Sequence, residues 1–324
     1  MDRCLWQAVI LAPKTYWSPL TPPQFSRAGA AWFYQLRSRK RSPRPDDMVQ
    51  RWLSRAAWRA RYLNDPVATR THLARAETDP TAGNVLGMPF VGVPVGSFQM
   101  GSNDGDKDEK PVHTVRITKP FWTGKYEVTQ EEYEKLAGKN PSRLKGAGNP
   151  VEYVSWNGAV AFCKKLTERE RSAGRLPAGY EYRLPTEAEW EYVARGGAKG
   201  REFTYSGSND LDDVGWHSGN SGKKAHPVGA KRSNELGIHD MSGNVWEWHL
   251  DWYGKDTYSG GMRTDPRGPQ SGLDRVYRGG SWFLGASFCR VAFRDGAVPS
   301  GSYRNLGFRV ALGPSSNRWT DVPR

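Results

Sequence analysis

Side chains able to act as soft ligands or proton-transfer groups are sparse in this sequence. It has three cysteines, Cys4, Cys163 and Cys289, and six scattered histidines. A thiol becomes a nucleophile or a metal ligand when a nearby cation or imidazole lowers its pKa. No histidine lies close to Cys289 in sequence, so it reads as a buried structural thiol. Cys163 sits on an apolar helix face and reads as a small hydrophobe. Glu187 and Glu191 stand four apart on a predicted surface helix, which is the spacing of a structural pair rather than of an acid–base couple. His217 and His226 occupy separate loop pieces with no third ligand nearby, which argues against zinc. The acids of SNDGDKDEKP, namely Asp104, Asp106, Asp108 and Glu109, lack the ordered spacing and terminal glutamate of a calcium hand and read as a solvated turn. No G-x-x-x-x-G-K-[ST] phosphate loop or HExxH zinc motif is present.

The elements that must position these groups are legible in part. Thr129 with Glu132, and Thr186 with Glu189, form capping boxes that open short helices. Ser155 starts a third helix, whose Ala159, Phe162, Cys163 and Leu166 line one face. Alternating residues from Gly87 through Phe98 and Met100, and the run from His113 to Thr118, read as strands. Upstream, residues 1–82 are a basic extension: residues 1–80 hold fourteen Lys or Arg against six Asp or Glu. A helix is expected at about 47–63, capped by Asp46 or Asp47, with Val49, Trp52, Leu53, Ala56, Ala60 and Leu63 on one face. Its charge suits either a solvated helix or an acidic or nucleic-acid partner.

Composition narrows the class. Fourteen tryptophans and thirty-six glycines suit a compact, loop-rich domain. An odd cysteine count excludes a fully paired disulfide framework, and a reducing cytoplasm fits best. The apolar run from Leu5 to Ala12 is too short to span a bilayer, so no membrane is expected.

One stretch stands apart. Residues 275–312 open on RVYRGGSW and end with GFRVAL, and between them the apolar residues keep neither helical nor strand period. Together with GSFQMGS (96–102), KYEVTQEEY (125–133), YRLPTEAEWEYVARGG (182–197) and GIHDMSGNVWEWHLDW (237–252), these pieces resemble the formylglycine-generating enzyme family, or sulfatase-modifying-factor domain. The resemblance implies an α+β fold of C-type-lectin type over residues 83–313, with residues 314–324 as a tail. Asn244 and Glu247 match positions near which the family can bind calcium, though no cofactor is expected to be required. The family's oxidases turn a substrate cysteine into formylglycine, using copper held between two cysteines. The second of these matches Cys289, but the first position is Leu284, and Ser281 matches a serine beside the metal. Cys289 and Ser281 are thus the residues expected to act if the chain is an oxidase with altered ligation. Related iron enzymes add a helical domain with metal-binding histidines, whereas the extension here has His72 alone.

The stretch also resembles the variable region of proteins diversified by retroelements, where adenine mutagenesis of a template chiefly alters asparagine codons. The resemblance implies variable positions at Phe283, Leu284, Gly285, Phe288, Phe293, Asp295, Gly296, Ala297, Gly301, Tyr303 and Asn305. Fixed positions are implied at Ala286, Cys289, Arg290, Ala292, Arg294 and Pro299. Every variable residue is reachable from AAC by changing adenines alone, and Lys, Glu, Gln, Met and Trp are absent from 283–306. The expectation is a non-catalytic surface that binds a protein or peptide through residues 283–305, with Phe283, Phe288, Phe293 and Tyr303 exposed as a hot spot. A scaffold acting through residues 1–82 is the remaining alternative.

Overall fold

A computed structural model of the chain describes residues 84–315. The helix expected at 47–63, Cys4 and His72 lie outside the described residues. The first strands are β1 (Phe90–Val93), β2 (Gly96–Met100), β3 (His113–Ile117) and β4 (Phe121–Gly124). Helix α1 (Gln130–Ala137) opens on the predicted box: the Thr129 hydroxyl accepts from the Glu132 N–H, and the Glu132 carboxylate accepts from the Thr129 N–H. Ser155 caps α2 (Trp156–Ser172) by accepting from the Gly158 N–H. After β5 (Tyr180–Arg183), Thr186 and Glu189 repeat the box at the start of α3 (Glu187–Ala194). Each such cap contributes about 1 kcal/mol. A short α4 (Leu211–Val214) precedes β6 (Trp246–Trp252), β7 (Arg263–Thr264), β8 (Arg275–Arg278), β9 (Arg294–Ala297), β10 (Leu306–Gly307) and β11 (Ala311–Pro314).

These strands form three sheets, ordered β1-β4-β11-β5, β10-β6-β8-β9 and β2-β3-β7. Strand β11, from the chain's last motif, lies between β4 and β5 and closes the first sheet. The face of α2 packs as its periodicity predicts, with Ala159, Phe162, Cys163 and Leu166 buried. There the Phe162 ring stacks on Tyr133 at 5.4 Å and meets the edge of Phe308. Trp246 and Trp248 are buried core residues. Among the described residues, no helix is long and apolar enough to cross a membrane.

Two expectations are corrected. Helix α3 is not a surface helix, because Glu187 and Glu191 are buried. The paired strands β8 and β9 set Arg278 opposite Arg294, and both guanidinium groups need counter-charges from α3. The acidic loop is not merely a solvated turn either. It folds into a 3₁₀ turn (Lys107–Glu109) whose Glu109 is fully buried and holds Arg290 through two hydrogen bonds of 2.8 and 2.6 Å.

Candidate ligand-binding surface

The frame of residues 275–312 starts with two glycines that the backbone requires. Gly279 and Gly280 have φ of 97° and 76°, a region that disfavours any side chain. Gly280 also abuts Cys289, which is 0% exposed and packs beside Leu211, Val214 and Ala286. Burial pushes the Cys289 thiol up to about 12, so it stays protonated and inert at neutral pH.

Arginines then pin the frame to the rest of the domain. Glu187 accepts from Arg294 Nε at 2.7 Å and from Arg278 Nη1 at 3.0 Å, while Arg278 also grips Glu191. Arg278 further donates to the Val291 and Ala292 carbonyls, which fixes the path of the loop that returns to β9. At the other end, Arg309 donates to both oxygens of Glu247 at 2.7 Å and to the Gly124 carbonyl at 2.9 Å. Charged, hydrogen-bonded groups buried this way fix one geometry, since removing either partner strands the other.

Between these pins ten of the eleven candidate positions reach the surface at least in part. Phe283, Phe288 and Tyr303 are 49%, 38% and 45% exposed. Leu284, Gly285, Asp295, Gly296, Ala297, Gly301 and Asn305 are half-buried. Asp295 accepts from the Tyr277 hydroxyl at 2.8 Å, and the Asn305 amide donates to Ser281 Oγ at 2.9 Å. The expectation of four exposed aromatics fails at Phe293, which is 8% exposed. It follows the Arg290 turn inward and packs against Trp246 at 5.7 Å and Phe288 at 5.1 Å, supporting the surface from beneath. Of the implied fixed residues, Cys289, Ala292 and Arg294 are buried, and Arg290 is tied to Glu109.

The sequence model described as "Sulfatase-modifying factor enzyme 1-like domain" matches residues 76–313. The chain belongs to this family. A formylglycine-generating enzyme of Streptomyces coelicolor is 32% identical over 317 residues, covering 76% of this chain and 96% of that protein. Among solved structures, Treponema denticola variable protein 1 aligns with a TM-score of 0.63 and 33% identity, covering 69% of this chain and 95% of that one. PvdO from Pseudomonas aeruginosa aligns at 0.57 and 27%, covering 71% and 95%. The fold is thus the C-type-lectin-like fold of the sulfatase-modifying-factor family.

The stretch offers a single thiol, Cys289. Leu284 is half-buried against the main core, where the oxidases carry a cysteine by resemblance, and a thioether-free alkyl chain donates nothing to copper. Ser281 is buried, its hydroxyl accepting from Asn305. The residues present do not fit a two-thiolate copper site. At the calcium expectation, both Glu247 oxygens have protein donors, Arg309 and the Trp190 indole, and the Asn244 amide bridges the Glu127 carboxylate and the His226 N–H. Neither side chain offers an oxygen without a protein donor. Among the described residues, no group of three His, Cys, Asp or Glu side chains could hold a metal ion. His217 instead pairs with Asp212 at 2.8 Å, and His226 stacks on Trp216 at 3.8 Å.

Two features were missed by sequence reasoning. A cleft of about 570 Å³ lies elsewhere, lined by residues including Met100, His113, Tyr258 and Arg263, and none of the eleven candidate positions lines it. The second is Arg304, whose guanidinium stands 4.2 Å from the centroid of the Phe283 ring. Its signal lay in the arginine count of the stretch, which exceeds the acids available locally.

Proposed function

We propose that this protein is a non-catalytic receptor that binds a protein or peptide through the outward face of residues 283–305. In this reading, retroelement mutagenesis diversifies that face. One observation carries the proposal. Ten of the eleven positions reachable by adenine changes lie exposed or half-buried, while Cys289, Ala292 and Arg294 between them are buried and locked to the frame. A surface built so can change its contacts without changing its fold, and its exposed aromatics give large contact area at low rotamer cost. The binding needs no cofactor, and the free thiols of Cys163 and Cys289 support a reducing compartment.

The test exchanges side chains at Phe283, Phe288, Tyr303 and Asn305 together. Binding specificity is expected to change while the melting temperature stays within a few degrees; unchanged specificity would refute the reading. At the DNA level, a near-copy of codons 275–312, differing only at adenines and lying beside a reverse-transcriptase gene, is the expected companion.

A second reading, an oxidase with altered metal ligation, draws support from the 32% identity to a formylglycine-generating enzyme. It predicts oxygen-dependent turnover of a cysteine peptide that is lost in Cys289→Ala. The buried, protonated thiol and Leu284 argue for no turnover.

A further inference from the structure

The arginines of residues 275–312 are accounted for one by one, with a single exception. The stretch holds six of them, Arg275, Arg278, Arg290, Arg294, Arg304 and Arg309, and one acid, Asp295. Four meet carboxylates from upstream: Arg278 and Arg294 on α3, Arg290 on Glu109, Arg309 on Glu247. Arg275 is buried between the Trp156 and Trp252 rings and donates to the Leu250 carbonyl. Arg304 is exposed and has no ion pair among the described residues.

Its position is not that of a solvated tip. The guanidinium sits 4.2 Å from the Phe283 ring centre and 5.5 Å from that of Trp282, joining the loop after β8 to the loop before β10. Tyr303 stands beside it in the chain, 45% exposed. A guanidinium resting on aromatic faces keeps its in-plane N–H fork for a bidentate acceptor, and the rings restrain it beforehand, so little rotamer freedom remains to be lost on binding. The surrounding aromatics would exclude water from such a pair and strengthen it.

Resting on the reading above, we infer that the partner is a protein or peptide presenting a carboxylate beside apolar or aromatic side chains, and that Arg304 receives that carboxylate. Nucleic acid fits less well. A phosphate backbone is held by several cations along a track, whereas this face has one uncommitted arginine and carries the carboxylate of Asp295.

The full chain, panned against displayed random peptides, is expected to enrich sequences with Asp or Glu next to Phe, Trp, Leu or Ile. Arg304→Gln should weaken an enriched peptide about tenfold or more, as should replacing its acid by the amide. The two changes together should cost little beyond either one, and melting temperatures should be unchanged. Peptides that bind through Phe283 and Tyr303 without acidic bias, or that ignore Arg304→Gln, overturn this inference and leave the binding reading standing. No enrichment, or enrichment indifferent to Phe283→Ala and Tyr303→Ala, overturns both. Displacement of a bound peptide by oligothymidine at similar affinity assigns the face to nucleic acid and overturns the carboxylate assignment.

Discussion

A Cβ placed on Gly280 would lie 2.8 Å from the Cα of Cys289 and closer still to its sulfur, so the two residues occupy one shared space. The second glycine of RGGSW is therefore required both by its φ of 76° and by the thiol packed on it. Gly280→Ala is expected to destabilise the domain by about 2–4 kcal/mol, from left-handed strain plus overpacking. Cys289→Ala, which leaves only a small void, should cost about 1–2 kcal/mol. In a double variant the losses should sum to less than their total, because removing the sulfur relieves part of the clash. Urea denaturation of the three proteins measures this; strict additivity would mean that the sulfur does not set the fit.

Alkylation reports on the same thiol. With its pKa at about 12 and no exposure, Cys289 should remain unlabelled by iodoacetamide at pH 8 in the folded protein and react fully in urea. Peptide mapping by mass spectrometry distinguishes it from Cys4 and Cys163. Rapid native labelling at Cys289 would reopen the oxidase reading.

Phe283 and Phe293 are both phenylalanines at candidate variable positions, yet they should behave oppositely. Phe293→Ala is expected to cost about 3–5 kcal/mol, since its ring is packed against Trp246. Phe283→Ala, half exposed, should leave stability within about 1 kcal/mol and act on binding alone. Equal stability losses would show that the outward placement of Phe283 is wrong.

Burial opposes ionisation of Glu187, but the charges of Arg294 and Arg278 outweigh it and hold the carboxyl down to about 2. A depressed carboxylate pKa contributes stability that is present above its unfolded value and lost as pH falls towards 2. Glu187→Gln should lose about 3–5 kcal/mol at pH 7 by leaving the buried Arg294 guanidinium without its carboxylate, while Arg278 keeps Glu191. The variant should also melt with a shallower dependence on pH between about 5 and 2. Parallel melting curves over that range would contradict the assignment.

Asp240 shifts the other way. Burial, reinforced by the charge of Glu247, pushes its carboxyl up to about 6, against the Gly229 N–H that donates to it. A raised carboxyl pKa favours the fold at low pH, and that contribution is lost as pH rises through about 6. Asp240→Asn should therefore raise the melting temperature at pH 8 relative to the parent, with little difference at pH 4. A variant less stable at pH 8 would show that the charge at Asp240 is compensated.

The sequence by itself determined the family and most of the local structure. Capping at Thr129, Ser155 and Thr186 is a matter of neighbouring residues, so it was legible without coordinates. The apolar face of α2 was legible for the same reason, since helical period places Ala159, Phe162, Cys163 and Leu166 together. What only the tertiary structure decided were partnerships across long sequence separations. Glu187 and Glu191 have the spacing of a solvated pair, and nothing local to α3 reveals that Arg278 and Arg294 arrive about a hundred residues later to bury them. Glu109 likewise lies in an acidic, glycine-containing loop until Arg290 reaches it. Phe293 and Phe283 are the same residue in similar surroundings, and only the turn at Arg290 sends one inward and leaves the other at the surface. Arg304 became notable only once every other arginine of its stretch had found its partner.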